Sequence, residues 1–427
     1  MKKLIQTLGQ INWDFSDYSS VKFPLDINSI SWYPATFPSP IPKFLIALLS
    51  DKDDVVFDPF GGKGTVAVEA VKQKRRFVYN DLNPFASDIA KNIASVLYGY
   101  CDDIEQIAMI LQMDRKMLEP SKIRQCAEDT YDGKDETVID RLYDQNFWDM
   151  LDQDGISRDV VYWYHKDTLR EMLAIYHVIV GGQQDFAYHV RKFAFVAILK
   201  EVSSQRGHFT YVTDNCWPDT IRYYDAADAY CNMLERVSGA VKEFRQQFYA
   251  VNPNGNMQEV INQSFIHCGD ARKLDWLGNE SVDLVITSPP YLCAQDYVKT
   301  MRLVNLFFSE GNIKDIISQE IGARYRRRKK SEVVVQDFYN DMDQVIGELW
   351  RVLKENGFFC LILGQGKGRV TDGYDTVQAV IDIAVEKYGF EKIFQTTRRI
   401  SYKMVRIGGV DNEEIVIFHK IRQEVAE

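Results

Sequence analysis

Residues 54–81 constrain the fold of this chain most, because an apolar run, a glycine-rich turn, a helical stretch and a second apolar run follow one another there. Val55–Phe57 predicts a buried strand, and Val66–Val71 predicts a helix. Phe77–Tyr79 predicts a second strand, and Asp81 follows it closely. This order of elements is typical of a nucleotide-binding βαβ unit, in which the two strands run parallel.

Further apolar runs extend this unit into a larger sheet. Five of them predict strands: Ser264–His267, Val282–Ile286, Phe358–Leu363, Phe394–Ile400 and Glu414–His419. The last two predict an antiparallel pair at a sheet edge, whereas residues 96–260 have a mostly helical pattern. We therefore predict a Rossmann-like α/β fold with a mostly parallel sheet, formed by residues 1–95 and 261–427 and interrupted by an inserted helical domain of residues 96–260.

Composition argues against a membrane span and against a metal site. The 427 residues contain no run of about 18 apolar residues, and the first residues turn polar too early for a signal peptide. The seven cysteines and six histidines lack the spacing of metal ligands or of a disulfide framework. We therefore expect a cytoplasmic protein without a bound metal.

The net charge of −10 opposes nucleic-acid binding by the chain as a whole, but one local run is strongly basic. This basic run contains Arg324, Arg326, Arg327, Arg328, Lys329 and Lys330. Phosphate binding needs a local patch of lysine and arginine rather than a basic whole. The run therefore predicts either a contact with a phosphate backbone or a solvated loop.

The turn Asp58–Thr65 has the features of a ligand-binding turn at a strand end. Its glycines let a ligand approach the backbone, and the helix that follows directs free N–H groups toward it. A P-loop is excluded, because Lys63 lies between glycines rather than before Ser or Thr. The Asp58 carboxylate suits an ammonium group, and Asp81 is either an acceptor for ribose hydroxyls or an ordinary turn aspartate.

A second motif, Thr287–Tyr291, directly follows the predicted strand that ends at Ile286. Its two consecutive prolines fix an extended backbone and remove two donors, so carbonyl oxygens there are free to accept bonds from a planar amino group. The ring of Tyr291 could stack on a base, or it could be a packed aromatic in a rigid turn.

Together the two motifs resemble those of DNA amino-methyltransferases. Asp58–Thr65 resembles their S-adenosylmethionine-binding motif DPFxGxGT, and Thr287–Tyr291 resembles their catalytic motif (D/N/S)PP(Y/F). Three further segments agree with this resemblance. Tyr33–Pro38 precedes the cofactor motif, Gly269–Ala271 matches the position that contacts the adenine, and Arg351–Gly357 is similar to the RVLKPGG turn.

The resemblance implies a role for each matching residue. The implied cofactor-binding residues are Phe37, Pro38, Asp58, Pro59, Phe60, Gly61, Gly62, Gly64, Thr65, Asp81, Asp270 and Ala271. The implied catalytic residues are Ser288, Pro289, Pro290 and Tyr291. Ser288 and the carbonyl of Pro289 would hold the hydrogens of an exocyclic amine, and Tyr291 would stack on a flipped-out base.

The activity implied is that of a site-specific DNA methyltransferase that uses S-adenosyl-L-methionine and double-stranded DNA. Such an enzyme is typical of a restriction–modification or related defence system, in which a restriction endonuclease is the functional partner. Serine before Pro-Pro favours cytosine N4 as the methylated atom. Adenine N6, a guanine amino group of transfer RNA, and a non-catalytic nucleic-acid-binding relative are the alternatives. The absence of any Pro-Cys dipeptide argues against covalent methylation at cytosine C5.

The predicted inserted domain lies between Asp81 and Asp270, which departs from the usual arrangement of the family. Because it is too long for a connecting loop, we interpret residues 96–260 as the target-recognition domain. Arg206 and His208, in a turn-rich stretch of it, are candidates for base contact, or else they belong to a structural loop. Arg324, Arg326, Arg327 and Arg328 are candidates for phosphate contact.

Overall fold

The computed structural model describes residues 1–15, 18, 23, 25–31, 33, 36–99, 105–122, 130–205, 217–309, 313–400 and 410–421. Its strands in chain order are β1 Val55–Asp58, β2 Arg76–Asp81, β3 Thr130–Asp132, β4 Thr220–Arg222, β5 Phe265–Cys268, β6 Val282–Thr287, β7 Leu353–Gly364, β8 Glu391–Arg399 and β9 Asn412–His419. Seven of these form one sheet in the order β5-β2-β1-β6-β7-β9-β8, and β3 pairs with β4 separately.

The α-helices surround this sheet on both faces. In chain order they are α1 Lys2–Gln10, α2 Pro40–Leu49, α3 Thr65–Lys72, α4 Pro84–Gly99, α5 Gln106–Leu118, α6 Glu136–Leu142, α7 Gln145–Asp154, α8 Lys166–Val180, α9 Phe186–Ile198, α10 Ala226–Val251, α11 Met257–Asn262, α12 Tyr297–Thr300, α13 Arg302–Phe307, α14 Ile313–Gln319, α15 Ser331–Val352 and α16 Thr376–Asp382. Short 3₁₀ turns occupy Ile27–Ser29, Glu119–Ser121, Arg158–Tyr162 and Arg324–Arg328, and a π-helical turn occupies Ile383–Lys387.

The predicted mostly parallel α/β sheet is confirmed. Strands β5, β2, β1, β6 and β7 run parallel, whereas β9 pairs antiparallel with both β7 and β8, so the predicted antiparallel pair does lie at the sheet edge. Val56 and Phe57 of β1 are fully buried between neighbouring strands, which explains why β1 has a continuous apolar run rather than an alternating one.

The parallel arrangement positions the two sequence motifs. Strands β1 and β2 pair from Val55↔Arg76 to Asp58↔Tyr79, and β6 pairs with β1 through Val285↔Phe57. The carboxyl ends of all three strands therefore meet at one edge, where α/β sheets bind their ligands.

Residues 96–260 contain mostly helices in their described parts, as the sequence predicts, together with the short pair β3 and β4. These helices pack against the helices of the sheet: α9 contacts α4, and α10 contacts α3. Asp114 of α5 receives a two-pronged contact from Arg191 of α9 and a hydrogen bond from Tyr230 of α10. One continuous apolar core joins both parts of the chain. The division into two domains at residues 96 and 260 remains a prediction.

The connection between α15 and β7 differs from the sequence prediction of a helix over Phe338–Leu353 and a strand from Phe358. The helix begins earlier, at Ser331, and β7 begins at Leu353 without an intervening loop. Leu353 pairs with Val282 and Phe358 with Leu284, so the residues between them form a bulge. The bulge is possible because Asn356 adopts a left-handed conformation, with φ of 63°.

Among the described residues, no helix is both long and apolar enough to cross a membrane.

Candidate active site

A cavity opens at the carboxyl ends of β1, β2 and β6. Many of the residues implied by the resemblance line it: Phe37, Asp58, Pro59, Phe60, Gly61, Gly62, Thr65, Asp81, Asp270, Ala271, Ser288 and Pro290. The turn after β1 and the motif after β6 thus contribute to one cavity although they are far apart in the sequence.

The glycine turn fits against the second strand so closely that side chains are excluded. A Cβ on Gly61 would lie 2.2 Å from a ring carbon of Tyr79, whose hydroxyl donates to the carbonyl of Gly62 at 2.6 Å. Gly62 and Gly64 adopt left-handed conformations, with φ of 51° and 89°. The turn therefore presents bare backbone to the cavity.

Asp58, the last residue of β1, is a buried carboxylate with a low exposure of 4%. The hydroxyl of Thr287 donates to its Oδ1 at 2.7 Å, and the backbone N–H of Phe60 donates to the same oxygen at 3.1 Å. Burial raises the pKa of Asp58 to about 7, the two hydrogen bonds oppose that rise, and the charge of Asp81 adds to it. A cationic ligand group would stabilise the ionised form.

Asp81, the last residue of β2, is held by two backbone donors. The N–H of Gly62 donates to Oδ2 at 2.8 Å, and the N–H of Asn83 donates to Oδ1 at 2.7 Å. Burial nevertheless raises the pKa of Asp81 to about 6. Each oxygen keeps a lone pair that can accept a further bond, as from a ribose hydroxyl.

Asp270 lies at another wall of the cavity and is paired with a cation of the chain. The guanidinium of Arg272 binds both of its oxygens, with Nε 2.9 Å from Oδ1 and Nη2 2.7 Å from Oδ2. Arg272 also donates to Asp341 at 2.6 Å. Spacing alone did not predict this pairing, which fixes the orientation of the Asp270 carboxylate.

Some residues of the second motif, Thr287–Tyr291, line the cavity, and others are buried in the core. Ser288 and Pro290 line the cavity. The hydroxyl of Tyr291 lies 3.2 Å from Ser288 Oγ and donates to Glu413 at 2.7 Å, and Glu413 is 3.1 Å from Nε of Arg398. Tyr291 is only 9% exposed, and its role in stacking on a base remains a prediction.

Several residues implied by the resemblance do not contribute to the cavity wall: Pro38, Gly64, Pro289 and Tyr291. The carbonyl of Pro38 accepts a hydrogen bond from the N–H of Ile41 at the start of α2, and Gly64 is the N-cap residue of α3.

The side chain of Lys63 points away from the cavity, since its ammonium donates to the carbonyl of Asn28. Burial lowers the pKa of Lys63 to about 8.

The sequence interpretation missed wall residues that come from beyond the catalytic motif. Tyr297 and Val298 begin α12, and Gln319 and Glu320 follow at the end of α14. Asn83, two residues after Asp81, was missed too. Only Asn83 carried a local signal, through its position in the turn after β2.

The candidate DNA-contacting residues fall into three groups. Arg324 and Arg328 are exposed, whereas Arg326 faces inward, 3.7 Å from Asp341 and 3.4 Å from the carbonyl of Ser318. The side chain of Arg327 and the residues Arg206 and His208 lie outside the described residues.

Comparisons with known proteins agree with this geometry. A family model described as a DNA methylase matches residues 5–92. The type II methyltransferase M.MjaI of Methanocaldococcus jannaschii is 30% identical over 122 residues, which cover 26% of this chain and 36% of that enzyme. M.BsoBI of Geobacillus stearothermophilus is 23% identical over 68% of this chain and 54% of its own length. M.MvaI of Kocuria varians is 21% identical over 87% of this chain and 83% of its own length.

The chain thus spans 36% of the first of these relatives and 54% of the second. Among solved structures, a putative DNA modification methylase from Thermus thermophilus, in complex with S-adenosyl-L-methionine, is 21% identical. The match covers 37% of this chain and 56% of that one, with a TM-score of 0.22.

Proposed function

We propose that this chain transfers a methyl group from S-adenosyl-L-methionine to an exocyclic amino group of DNA, and the match of residues 5–92 to a DNA methylase family model supports this proposal. One observation carries the proposal: Ser288 and Pro290 open into the same cavity as Asp58 and Asp81. A cofactor bound along the acidic residues would then lie beside the motif that receives the target base.

The acidic wall fits this cofactor by its chemistry. S-adenosylmethionine presents an ammonium group, two ribose hydroxyls and an adenine amino group, all of which are hydrogen-bond donors. Asp58, Asp81 and Asp270 supply carboxylate acceptors at one cavity. A ligand with several phosphates would suit this wall poorly, because its charges would repel buried carboxylates.

The catalytic contribution of the chain is to orient the amine. An exocyclic amine conjugated to its ring is a poor nucleophile, because its lone pair is delocalised. Ser288 Oγ and the carbonyl of Pro289 accept the two amine hydrogens, which turns the lone pair toward the methyl group. When bound, the cofactor would supply the methyl group on a sulfonium sulfur, with the C–S bond breaking as the C–N bond forms and the amine nitrogen releasing one proton.

We favour cytosine N4 over adenine N6 as the methylated atom, because a serine, Ser288, precedes the two prolines of the motif. The supporting argument is the resemblance of the Ser-Pro-Pro-Tyr motif to cytosine-N4 enzymes. A place in a restriction–modification system, with an endonuclease as functional partner, follows from the same reasoning and from the type II enzymes among the relatives.

The direct test incubates the full chain with methyl-tritiated S-adenosylmethionine and either duplex DNA or transfer RNA. We expect label in DNA alone, and nucleoside mass spectrometry then identifies N4-methylcytosine or N6-methyladenine. Ser288→Ala should abolish most of the transfer, because one of the two amine acceptors is lost. Ser281→Ala, at the opposite end of β6, is the matched control and should retain activity.

Each contrary outcome points to a different function. Label in transfer RNA alone would favour the guanine amino group. Cofactor binding without transfer to either nucleic acid would favour the non-catalytic relative. N6-methyladenine as the product would leave the family intact and overturn the preference for cytosine.

We propose that the exposed arginines of the basic run contact DNA phosphates. Each phosphate contact contributes a slope of roughly −0.9 in log affinity against log salt concentration. The double variant of Arg324→Ala and Arg328→Ala should therefore flatten the slope by about 2 and weaken cognate and random DNA alike. Arg326→Ala is the informative comparison, because its guanidinium already faces Asp341. An unchanged slope in the double variant would remove the run from the DNA interface.

We also propose residues 96–260 as the target-recognition region. Their length, and the helices that position them beside the cofactor half of the sheet, support this role. Replacing Arg206 and His208 with Ala tests base contact: methylome sequencing should reveal a relaxed target, whereas an unchanged target would exclude both residues.

A further inference from the structure

Glu320 is a buried carboxyl group in the wall of the proposed cofactor cavity. It directly follows α14, and only 4% of its surface is exposed. The backbone N–H of Val298 donates to its Oε1 at 2.7 Å. Oε2 has no hydrogen-bond partner among the described residues.

A buried acceptor without a partner is rare in folded proteins, because it loses its hydration and gains nothing in return. Burial also raises the pKa of Glu320 to about 8, and the charges of Asp296 and Asp81 add to that rise. Since Oε2 belongs to a residue that lines a cavity, a ligand in that cavity can supply the missing partner.

The neighbours of Glu320 indicate which part of a ligand this would be. Tyr33, Asp81 and Glu320 all line the cavity, and the charges of Asp81 and Glu320 both add to the raised pKa of the buried Tyr33 hydroxyl. The three groups therefore border one region of the cavity. The oxygens of Asp81 already accept from Gly62 and Asn83. A ribose brings two adjacent hydroxyl donors, and two acids that border one region of the cavity can each accept one of them.

We propose that Glu320 is a second ribose-binding acid, which accepts a hydrogen bond from a ribose hydroxyl of S-adenosylmethionine beside Asp81. The inference rests on the proposed function, because that function supplies the ligand. It adds a contact from the chain segment that follows Thr287–Tyr291 to the contacts proposed for the residues after β1 and β2.

The test is a double-mutant cycle between the side chain and the ribose, measured by calorimetry with S-adenosylhomocysteine and its 2′-deoxy and 3′-deoxy analogues. In the parent protein, loss of the contacted hydroxyl should weaken binding at least about tenfold. In Glu320→Ala, S-adenosylhomocysteine should bind at least about tenfold more weakly, and deletion of the same hydroxyl should then have almost no further effect.

Two variants keep the test decisive. Glu320→Gln retains the bond from Val298 through Oε1 and changes only the second polar atom. It replaces the alanine variant if that variant unfolds. Its coupling energy to the ribose hydroxyl should lie between zero and the value measured with Glu320→Ala. Glu332→Ala, an exposed glutamate at the start of α15, is the matched control and should bind like the parent.

The outcomes separate this inference from the proposed function. A parent protein that does not bind S-adenosylhomocysteine overturns both. The Glu320 contact alone is overturned if the parent binds S-adenosylhomocysteine and deletion of a ribose hydroxyl weakens binding by the same factor in the parent and in Glu320→Ala. Coupling to an analogue that lacks the amino group, rather than to a deoxyribose analogue, would also overturn the ribose contact.

Discussion

Replacing Asp58 with Asn should make the protein more stable and less able to bind its cofactor. Both hydrogen bonds that Asp58 accepts, from Thr287 and from Phe60, end on Oδ1. An asparagine carbonyl can accept the same two bonds, so the substitution removes the charge with little change in packing. If the proposed cofactor binds as expected, its ammonium group would lose its charge partner in this variant and bind more weakly.

The magnitude follows from the pKa of Asp58, which burial raises from 3.8 to about 7. Because about 1.4 kcal/mol corresponds to one pKa unit, ionising this group in the folded state costs about 4 kcal/mol. The effect of this side chain on the free energy of unfolding is opposite in sign to that of most aspartates, whose pKa is lower in the folded state than in the unfolded state. Well below pH 3.8 the cost is absent, it grows as the pH rises from 3.8 to about 7, and it stays at its full value above pH 7, so this group lowers the free energy of unfolding in neutral and basic solution.

Urea unfolding of the cofactor-free protein at pH 5, 6.5 and 8 would measure this effect. The free energy of unfolding of Asp58→Asn should exceed that of the parent by roughly 2 kcal/mol near pH 5 and by about 4 kcal/mol at pH 8. Asp51→Asn, on an exposed loop just before β1, should differ from the parent by less than about 0.5 kcal/mol at every pH. A gap that stays constant or narrows as the pH rises would refute the reasoning.

Three further substitutions test the site and its support. Methyl transfer should survive far better in Tyr291→Phe than in Tyr291→Ala if the ring stacks on the base, and equal losses would count against stacking. Glu413→Ala should lower the free energy of unfolding by about 3–5 kcal/mol, because it leaves the buried guanidinium of Arg398 without its partner; a loss below about 1 kcal/mol would argue against that pair. Gly61→Ala should cost about 1–3 kcal/mol in urea unfolding and weaken calorimetric cofactor binding, because a Cβ there overlaps the ring of Tyr79; unchanged affinity would contradict the close fit.

The sequence was sufficient to predict the sheet and the position of its motifs. Buried parallel strands require continuous apolar runs, and the residue that follows each run lies at a common edge. Asp58, Asp81 and Ser288 could therefore be predicted to meet before any contact was known. The antiparallel edge pair was also predictable, because β8 and β9 are long enough to show a pattern in the sequence.

Other wall residues could not be predicted, because their positions depend on tertiary packing rather than on local pattern. Tyr297 and Glu320 belong to short helical segments whose polar side chains look like ordinary surface residues in the sequence. The strands β3 and β4 are only three residues long, too short for a recognisable alternation. The pairing of Asp270 with Arg272 was near in sequence, but spacing does not reveal which way two side chains turn.

The core shared by α3, α4, α9 and α10 bears on how enzymes of this architecture diverge. If residues 96–260 recognise the DNA target, as proposed, a lineage cannot acquire a new target simply by replacing that whole segment through recombination. The incoming helices would have to match the apolar surfaces of α3 and α4, and α3 begins at the end of the glycine turn Asp58–Thr65. Change confined to surface connections of the inserted helices avoids this constraint. New specificities should therefore arise by gradual substitution along those connections rather than by recombination of intact segments.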